Sequence, residues 1–443
     1  MAALLRFFGF DRAVAYSLVL KLWQAGAGLI GILLITQNLS PEVQGFYYTF
    51  ASLVALQTFV ELGLYLVILN TASHEWAKLQ LGEDGHIEGD LDALSRLVSL
   101  GRFVFKWYAV AVFIFLLLAG VGGYLFLGQS PSLGVNWQMP WFIHIGFSSL
   151  LLWCMPFLSL LEGCDQVAPV ARFRFWQAFV SSLAFWAALV AGFGLWAAPV
   201  LSMVSVLFCM YHLLVSRRVF FKPFFTPPVH GSVAWRTEIF PMQWRLALQG
   251  LMNYFGFAIF TPVMFYYYGP AVAGQMGMSQ QIAMAMLSIS LIWVTTKAPR
   301  FGMLVARREF HTLDVEWRKA SLLSVSIMLC GVLVIFIAMA LLNELRWEPL
   351  NRLLSPGPFL MLGLGTVFAT AVQCVAMYLR AHKKEVLTAI GTISGALIGL
   401  MVWALGAAYG PAGATGSYLF VMSCVVFPMA SFMWQKSRRD WHR

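Results

Sequence analysis

Long apolar runs, each about as long as a membrane is thick, alternate with short polar interruptions along the whole chain. A transmembrane helix needs ~20 mostly apolar residues. Runs of that length fall at 13–36, 43–69, 103–127, 140–162, 170–193 and 196–215, and again at 238–266, 270–295, 320–342, 357–379, 386–409 and 412–434. The pattern predicts an all-α polytopic membrane protein of twelve transmembrane helices. Composition sharpens the contrast with soluble proteins: 11% of the 443 residues are charged, against about 25% in a soluble domain, and the mean hydropathy is +0.76. The apolar start MAALLRFFGF runs into Asp11-Arg12 and a full-length span, so no cleaved signal peptide is expected.

The polar interruptions carry a strong asymmetry. Of the 29 Lys and Arg residues, 25 fall in loops on one side and only Arg346 and Arg352 on the other, with Lys21 and Arg245 inside spans. The positive-inside rule then places both termini in the cytoplasm. The net charge of +10 is thus a topology signal with contact to anionic headgroups, and no nucleic-acid motif accompanies it. The outer loops are short, and Trp137, Trp141 and Tyr266 to Tyr268 at their edges predict an interfacial aromatic belt. The inner loop 70–102 is acidic at 83–92, then amphipathic through Leu91, Leu94, Leu97 and Val98, which predicts a segment lying on the membrane surface. Six scattered cysteines without CxxC spacing read as apolar packing.

An internal repeat organises the spans. The turn Pro41-Glu42-Val43-Gln44-Gly45 recurs as Pro270-Ala271-Val272-Ala273-Gly274, and LLEGCDQVAPV (160–170) has the layout of YLRAHKKEVL (378–387). Proline suits the first helical turn because it has no amide hydrogen to leave unpaired. Six spans per half is an even number, so the halves insert with one orientation, as a parallel repeat. The expected organisation is a six-helix lobe over 1–215, a basic linker over 216–236 and a second lobe over 237–443.

Charges inside the apolar runs are the candidate chemistry. Lys21 lies nine residues past Arg12, roughly 13 Å along a helix, and Glu61 sits nine before Asn70 on the returning span. The two are predicted at similar depth, where Lys21 offsets the charge of Glu61. Arg245, nine past Arg236, repeats the device in the second half, with Gln243, Gln249 and Asn253 nearby. Arg172 and Arg174 stand at the mouth of span five, opposite Glu162 and Asp165. Ionisable residues at such depths mark functional sites by default, the alternative being interhelical ion pairs. Cations facing one cavity suit a diphosphate, which Arg grips bidentately and Lys attracts as a point charge. Glu61 alternatively carries a coupling proton, and His144 reads as either a packing residue or a relay.

Other motifs are empty. His74-Glu75 lacks the second histidine of a zinc helix, no phosphate-binding loop of the GxxxxGK[ST] type occurs, and Asp90-Leu91-Asp92 stands without a nucleotide-binding domain. No metal or cofactor is expected. Short outer loops leave little room for an active site, which counts against a glycan ligase or polymerase.

The spans in two halves, the run LSPEVQGFYYTFASLVALQTFVELGL and the segment YLRAHKKEV resemble the polysaccharide-transporter branch of the MOP exporter superfamily, Wzx-type O-antigen and oligosaccharide flippases in particular. The resemblance spans the whole chain, with ELGL its most telling motif. It implies a V-shaped, MATE/MOP-like bundle that moves undecaprenyl-diphosphate-linked oligosaccharide across a bacterial cytoplasmic (inner) membrane by alternating access. It further implies proton or sodium coupling, cationic cavity residues with Lys21 and Arg245 in fitting positions, and a polymerase or ligase as partner. The competing expectation is a multidrug or small-metabolite antiporter of the same fold, whose cavity should favour acidic and aromatic residues.

Overall fold

The computed structural model describes residues 12–129, 134–229, 231–344, 348–382, 384 and 386–441. The side chains of Arg245 and Asn253 lie outside the described residues, as do Arg6, Arg346, Lys383 and Arg443. Nearly all of the described chain is helical, and nine helices among the described residues are long and apolar enough to cross a membrane. Two further pairs pass the same test as bent spans: Pro41–Glu61 with Leu64–Trp76, at 46°, and Leu246–Phe257 with Phe260–Tyr268, at 44°. The longest stretch, Thr388–Trp441, is broken at Gly410, whose φ of 64° and ψ of −146° lie outside the helical region. Glycine adopts that backbone at little steric cost, and Pro411 follows it. The protein is a multi-pass membrane protein.

Packing divides the chain into two units. One comprises Met1–Ala27 and Leu53–Leu251, the other Gly28–Ser52 and Met252–Arg443. Packing thus cuts within the first two spans and within helix Phe240–Phe257.

In the first unit, Leu91–Leu127 is one 37-residue helix, about 55 Å long at ~1.5 Å per residue. Asp90 caps it, its side chain accepting from the Ala93 amide at 2.8 Å, the N-cap role favoured for Asp. The stripe expected to lie on the membrane surface divides: Leu97 and Val98 are buried against protein and Leu94 is half-buried, while Leu91 is exposed. The linker runs alongside it. Phe224 fills the space left by the missing Cβ of Gly101, Ser95 exchanges hydrogen bonds with the Gly231 backbone, and Arg102 donates to the carbonyl of Phe225 at 3.2 Å. Trp137 and Trp141 also depart from the expected belt. Both are buried; Trp141 donates its indole N–H to the Gly120 carbonyl at 3.0 Å and fits over Gly123. An indole that reaches a backbone acceptor can be buried at little polar cost. Tyr266, Tyr267 and Tyr268 are exposed, as a belt requires.

The second unit explains the repeated turn. A Cβ on Gly45 would stand 1.9 Å from the Pro270 carbonyl oxygen, and one on Gly274 2.9 Å from the Gly45 nitrogen. The two P-x-V-x-G helix starts therefore meet glycine to glycine, and Gln44 donates from its amide to the carbonyls of Gly274 and Arg352, both at 3.0 Å. Deeper in the same unit, Trp317, Tyr378 and Trp434 cluster with Leu313, Cys374 and Leu379.

Candidate functional site: a cationic cavity

The first unit holds a cavity of about 870 Å³ whose lining includes Tyr16 and Val19 from helix Arg12–Asn38, Arg172 and Trp176 from helix Val167–Val190, and His212 and Arg217. Local sequence sets this up. On helix Val167–Val190, Arg172 and Trp176 are four residues apart and share a face, whereas Arg174, two residues from Arg172, points elsewhere. At the far wall the α-helix relaxes into the π-turn His212–Ser216, a departure that often marks functional positions. His212 stacks on Phe173 at 4.3 Å between ring centroids, and its Nε2 is buried without a hydrogen-bond partner among the described residues. Arg217 follows immediately, half-buried, and burial pushes its guanidinium below the ordinary range. Among the described residues, two cations and no carboxylate line this space, so their field attracts anions. Trp176, Tyr16 and Tyr211 supply flat apolar walls.

The residues singled out from sequence separate. Arg172 is exposed to the cavity. Arg174 is committed elsewhere: its Nη2 lies 3.2 Å from Glu162 Oε1 and donates to Tyr65 Oη at 2.9 Å, and that hydroxyl donates to the other Glu162 oxygen. This is the interhelical ion pair weighed against a site role. Lys21 is exposed, lies outside the cavity lining and makes no ion pair among the described residues. The expected offset of Glu61 by Lys21 is therefore not made within 4.0 Å. Matching depth on two helices leaves their azimuth open, and helix rotation decides whether side chains meet.

Glu61 instead ends the short helix Thr58–Glu61, immediately before Leu62 and Gly63, both left-handed at φ 51° and 67°. The left-handed conformation is strained for leucine; Gly63 is needed for contact as well, since a Cβ there would stand 2.4 Å from Leu246 Cβ. Half-buried Glu61 lies in the field of Tyr108, whose buried hydroxyl has no hydrogen-bond partner among the described residues.

Gln243 is buried and accepts from the Trp235 indole at 3.0 Å, a structural bond, and Gln249 is half-buried. His144 is buried 3.1 Å from Ser202. Sequence reasoning missed His212 and Arg217 as cavity residues; the usable signal was the run of Phe208, Tyr211 and His212 closely followed by Arg217 and Arg218. It also missed a clasp in the second unit, where Asp314 Oδ2 takes both Nε (2.8 Å) and Nη2 of Arg438 while Tyr378 Oη donates to Oδ1 at 2.6 Å. Among the described residues no group of three or more His, Cys, Asp or Glu is arranged to hold a metal.

No family model matches the sequence, and no curated protein does. Solved structures do. The lipid II flippase MurJ, in an inward closed conformation, superposes with a TM-score of 0.65 at 11% identity over 95% of this chain and 87% of that one. The chain has a MATE/MurJ-like fold. An inward-facing multidrug resistance MATE family transporter of the MOP superfamily gives 0.61 at 13% identity over 97% and 99%, and the Vibrio cholerae MATE transporter VcmN 0.58 at 14% over 97% of each chain. At such identities the likeness is one of fold.

Proposed function

We propose that the protein is a lipid-linked oligosaccharide flippase of the Wzx type, moving an undecaprenyl-diphosphate-linked glycan from the inner to the outer leaflet of a bacterial cytoplasmic membrane. It would do so by alternating access on twelve spans, with both termini cytoplasmic. The observation that carries this reading is the cavity lined by Arg172 and Arg217 and, among the described residues, by no carboxylate. A diphosphate offers oxygens that two guanidiniums grip with charge-assisted hydrogen bonds, and flat aromatic walls accept sugar faces or isoprenyl chain. Arg172 and Arg217 hold the headgroup in this reading. Lys21, exposed and unpaired among the described residues, attracts it on approach, and Arg245 serves the same end on its sequence position alone. Glu61, in the field of the Tyr108 hydroxyl and without an ion-pair partner among the described residues, is the carrier of a coupling proton in this reading. A polymerase or ligase takes the delivered glycan.

MurJ is named as a lipid II flippase, which supports a lipid-linked cargo on this fold. The MATE likeness raises the rival reading, export of cationic drugs. A cavity with two cations repels such cargo, which favours the flippase. Deleting the gene and labelling the lipid-linked glycan in intact spheroplasts with a reagent that does not cross the membrane tests the reading. Loss of a flippase strands intact lipid-linked oligosaccharide on the inner leaflet, whereas normal distribution of that lipid would contradict it.

A further inference from the structure

A second cavity lies on another face of the first unit, in a place the transport reading does not use. It measures about 330 Å³, near the lower end of the ~300–1,000 Å³ typical of ligand sites. Its walls are almost wholly apolar: Phe105, Trp153, Phe157, Phe221 and Phe224 form an aromatic cage. Trp153 and Phe157 come from helix Gln138–Gly163, and Phe221 and Phe224 from the linker. At its rim stand Arg102 and Lys106, four residues apart on helix Leu91–Leu127 and hence on one face. Among the described residues no carboxylate lines the cavity. Arg102 spends Nη1 on the linker carbonyls of Phe224 and Phe225, and its Nε and Nη2 make no hydrogen bond among the described residues. Lys106 is exposed and likewise makes none there. Beside them Phe225 is 80% exposed, a large aromatic side chain presented outward where the chain is rich in basic residues.

We infer that this cavity binds an anionic glycerophospholipid of the surrounding bilayer. One acyl chain enters the aromatic cage, and the headgroup phosphate rests on Arg102 and Lys106. Three observations point to that occupant rather than to a soluble anion or a protein. The cage is too apolar for a free phosphate, its volume suits a chain segment rather than a folded element, and the two cations stand at its mouth. Basic pockets between membrane helices bind acidic headgroups for this reason. The bound lipid touches both the linker and helix Leu91–Leu127, so it fastens Phe221 and Phe224 to the helix they already lean on. The site is separate from the cavity of Arg172 and Arg217, and its existence does not depend on what that cavity carries.

The test uses the full-length protein in detergent micelles, titrated with phosphatidylglycerol or phosphatidylcholine bearing the same brominated acyl chains. Bromine quenches nearby tryptophan, and the fraction due to Trp153 is the difference from a Trp153→Phe variant, in which the cage stays aromatic. Wild type should show Trp153-dependent quenching at a roughly tenfold lower mole fraction of phosphatidylglycerol than of phosphatidylcholine. Arg102→Gln with Lys106→Gln should bring the two lipids within about twofold, while Arg318→Gln with Lys319→Gln should leave the preference intact. If the double variant does not fold, Lys106→Gln alone, which breaks no bond among the described residues, should lower the preference about threefold. Equal quenching by both lipids in wild type would overturn the assignment. So would a preference that loss of Lys106 leaves undiminished, or Trp153-dependent quenching produced only by a lipid diphosphate.

Discussion

Replacing Asp314 with alanine removes the acceptor of three hydrogen bonds at once, two from Arg438 and one from Tyr378. The two donors respond differently. Tyr378 is fully buried, so its hydroxyl loses that acceptor where water does not reach, a loss worth ~1–3 kcal/mol. The Arg438 side chain is 39% exposed and can turn toward solvent, which leaves ~1 kcal/mol for its charge-assisted bonds after screening. The expected loss of stability is therefore ~2–4 kcal/mol. Asp314→Asn, which keeps one acceptor oxygen, should cost about half as much. Adding Tyr378→Phe to Asp314→Ala should recover ~1 kcal/mol, because it removes the hydroxyl that lost its acceptor. Chemical unfolding of the purified full-length variants in one detergent reads all three values. If Asp314→Ala lies within ~0.5 kcal/mol of wild type, or if Tyr378→Phe brings no recovery, the clasp does not hold the second unit in the way described.

Other positions give independent tests. Gly45→Val places methyl groups into the Pro270 carbonyl, 1.9 Å from an ideal Cβ, and should destabilise the protein by ~1–3 kcal/mol or more by overpacking, seen as reduced yield of folded protein at unchanged transcript level. The Glu238 carboxyl is held below its usual value of 4.5 by the Ala234 amide and then by Arg96. A depressed folded value means its stabilising contribution is present above about pH 4.5 and fades as pH falls through the lower folded value; protection of the 231–239 segment from proteolysis should fall over that window, and Glu238→Gln should remove the dependence. Glu61→Gln should leave the protein folded and abolish the response of transport to an imposed proton gradient, measured in proteoliposomes; retained gradient dependence would move proton coupling elsewhere.

Much of the fold was legible because its driving force is local. A run such as 103–127 must find an apolar surround, and hydropathy shows that without any knowledge of neighbours. The P-x-V-x-G repeat was equally plain, but its purpose, a glycine-to-glycine contact of helix starts, depends on residues 229 positions apart at Gly45 and Gly274. The break at Leu62–Gly63 was hidden because nothing in a leucine announces a left-handed backbone; only the neighbouring glycine hinted at it. The amphipathic stripe at Leu97 and Val98 was visible as a stripe, but periodicity cannot tell protein from membrane as its cover, and the linker supplies the cover. For the cavity, one half of the cation pair was read and the other was not. Helical phase alone separates Arg172 from Arg174, whereas Arg217 looked like one more basic loop residue until the π-turn carried it to the cavity wall. The Asp314 clasp joins residues 64 and 124 positions apart, a separation at which one sequence holds no pairing signal.

Affinity for a diphosphate headgroup bears most directly on the central claim that Arg172 and Arg217 form an anion site. A soluble isoprenyl-diphosphate analogue should bind the purified wild-type protein and lose ~10–100-fold in affinity with Arg172→Gln and Arg217→Gln together, while Arg318→Gln leaves it unchanged. Equal affinity in the double variant, or tighter wild-type binding of a cationic drug than of the diphosphate, would contradict the account.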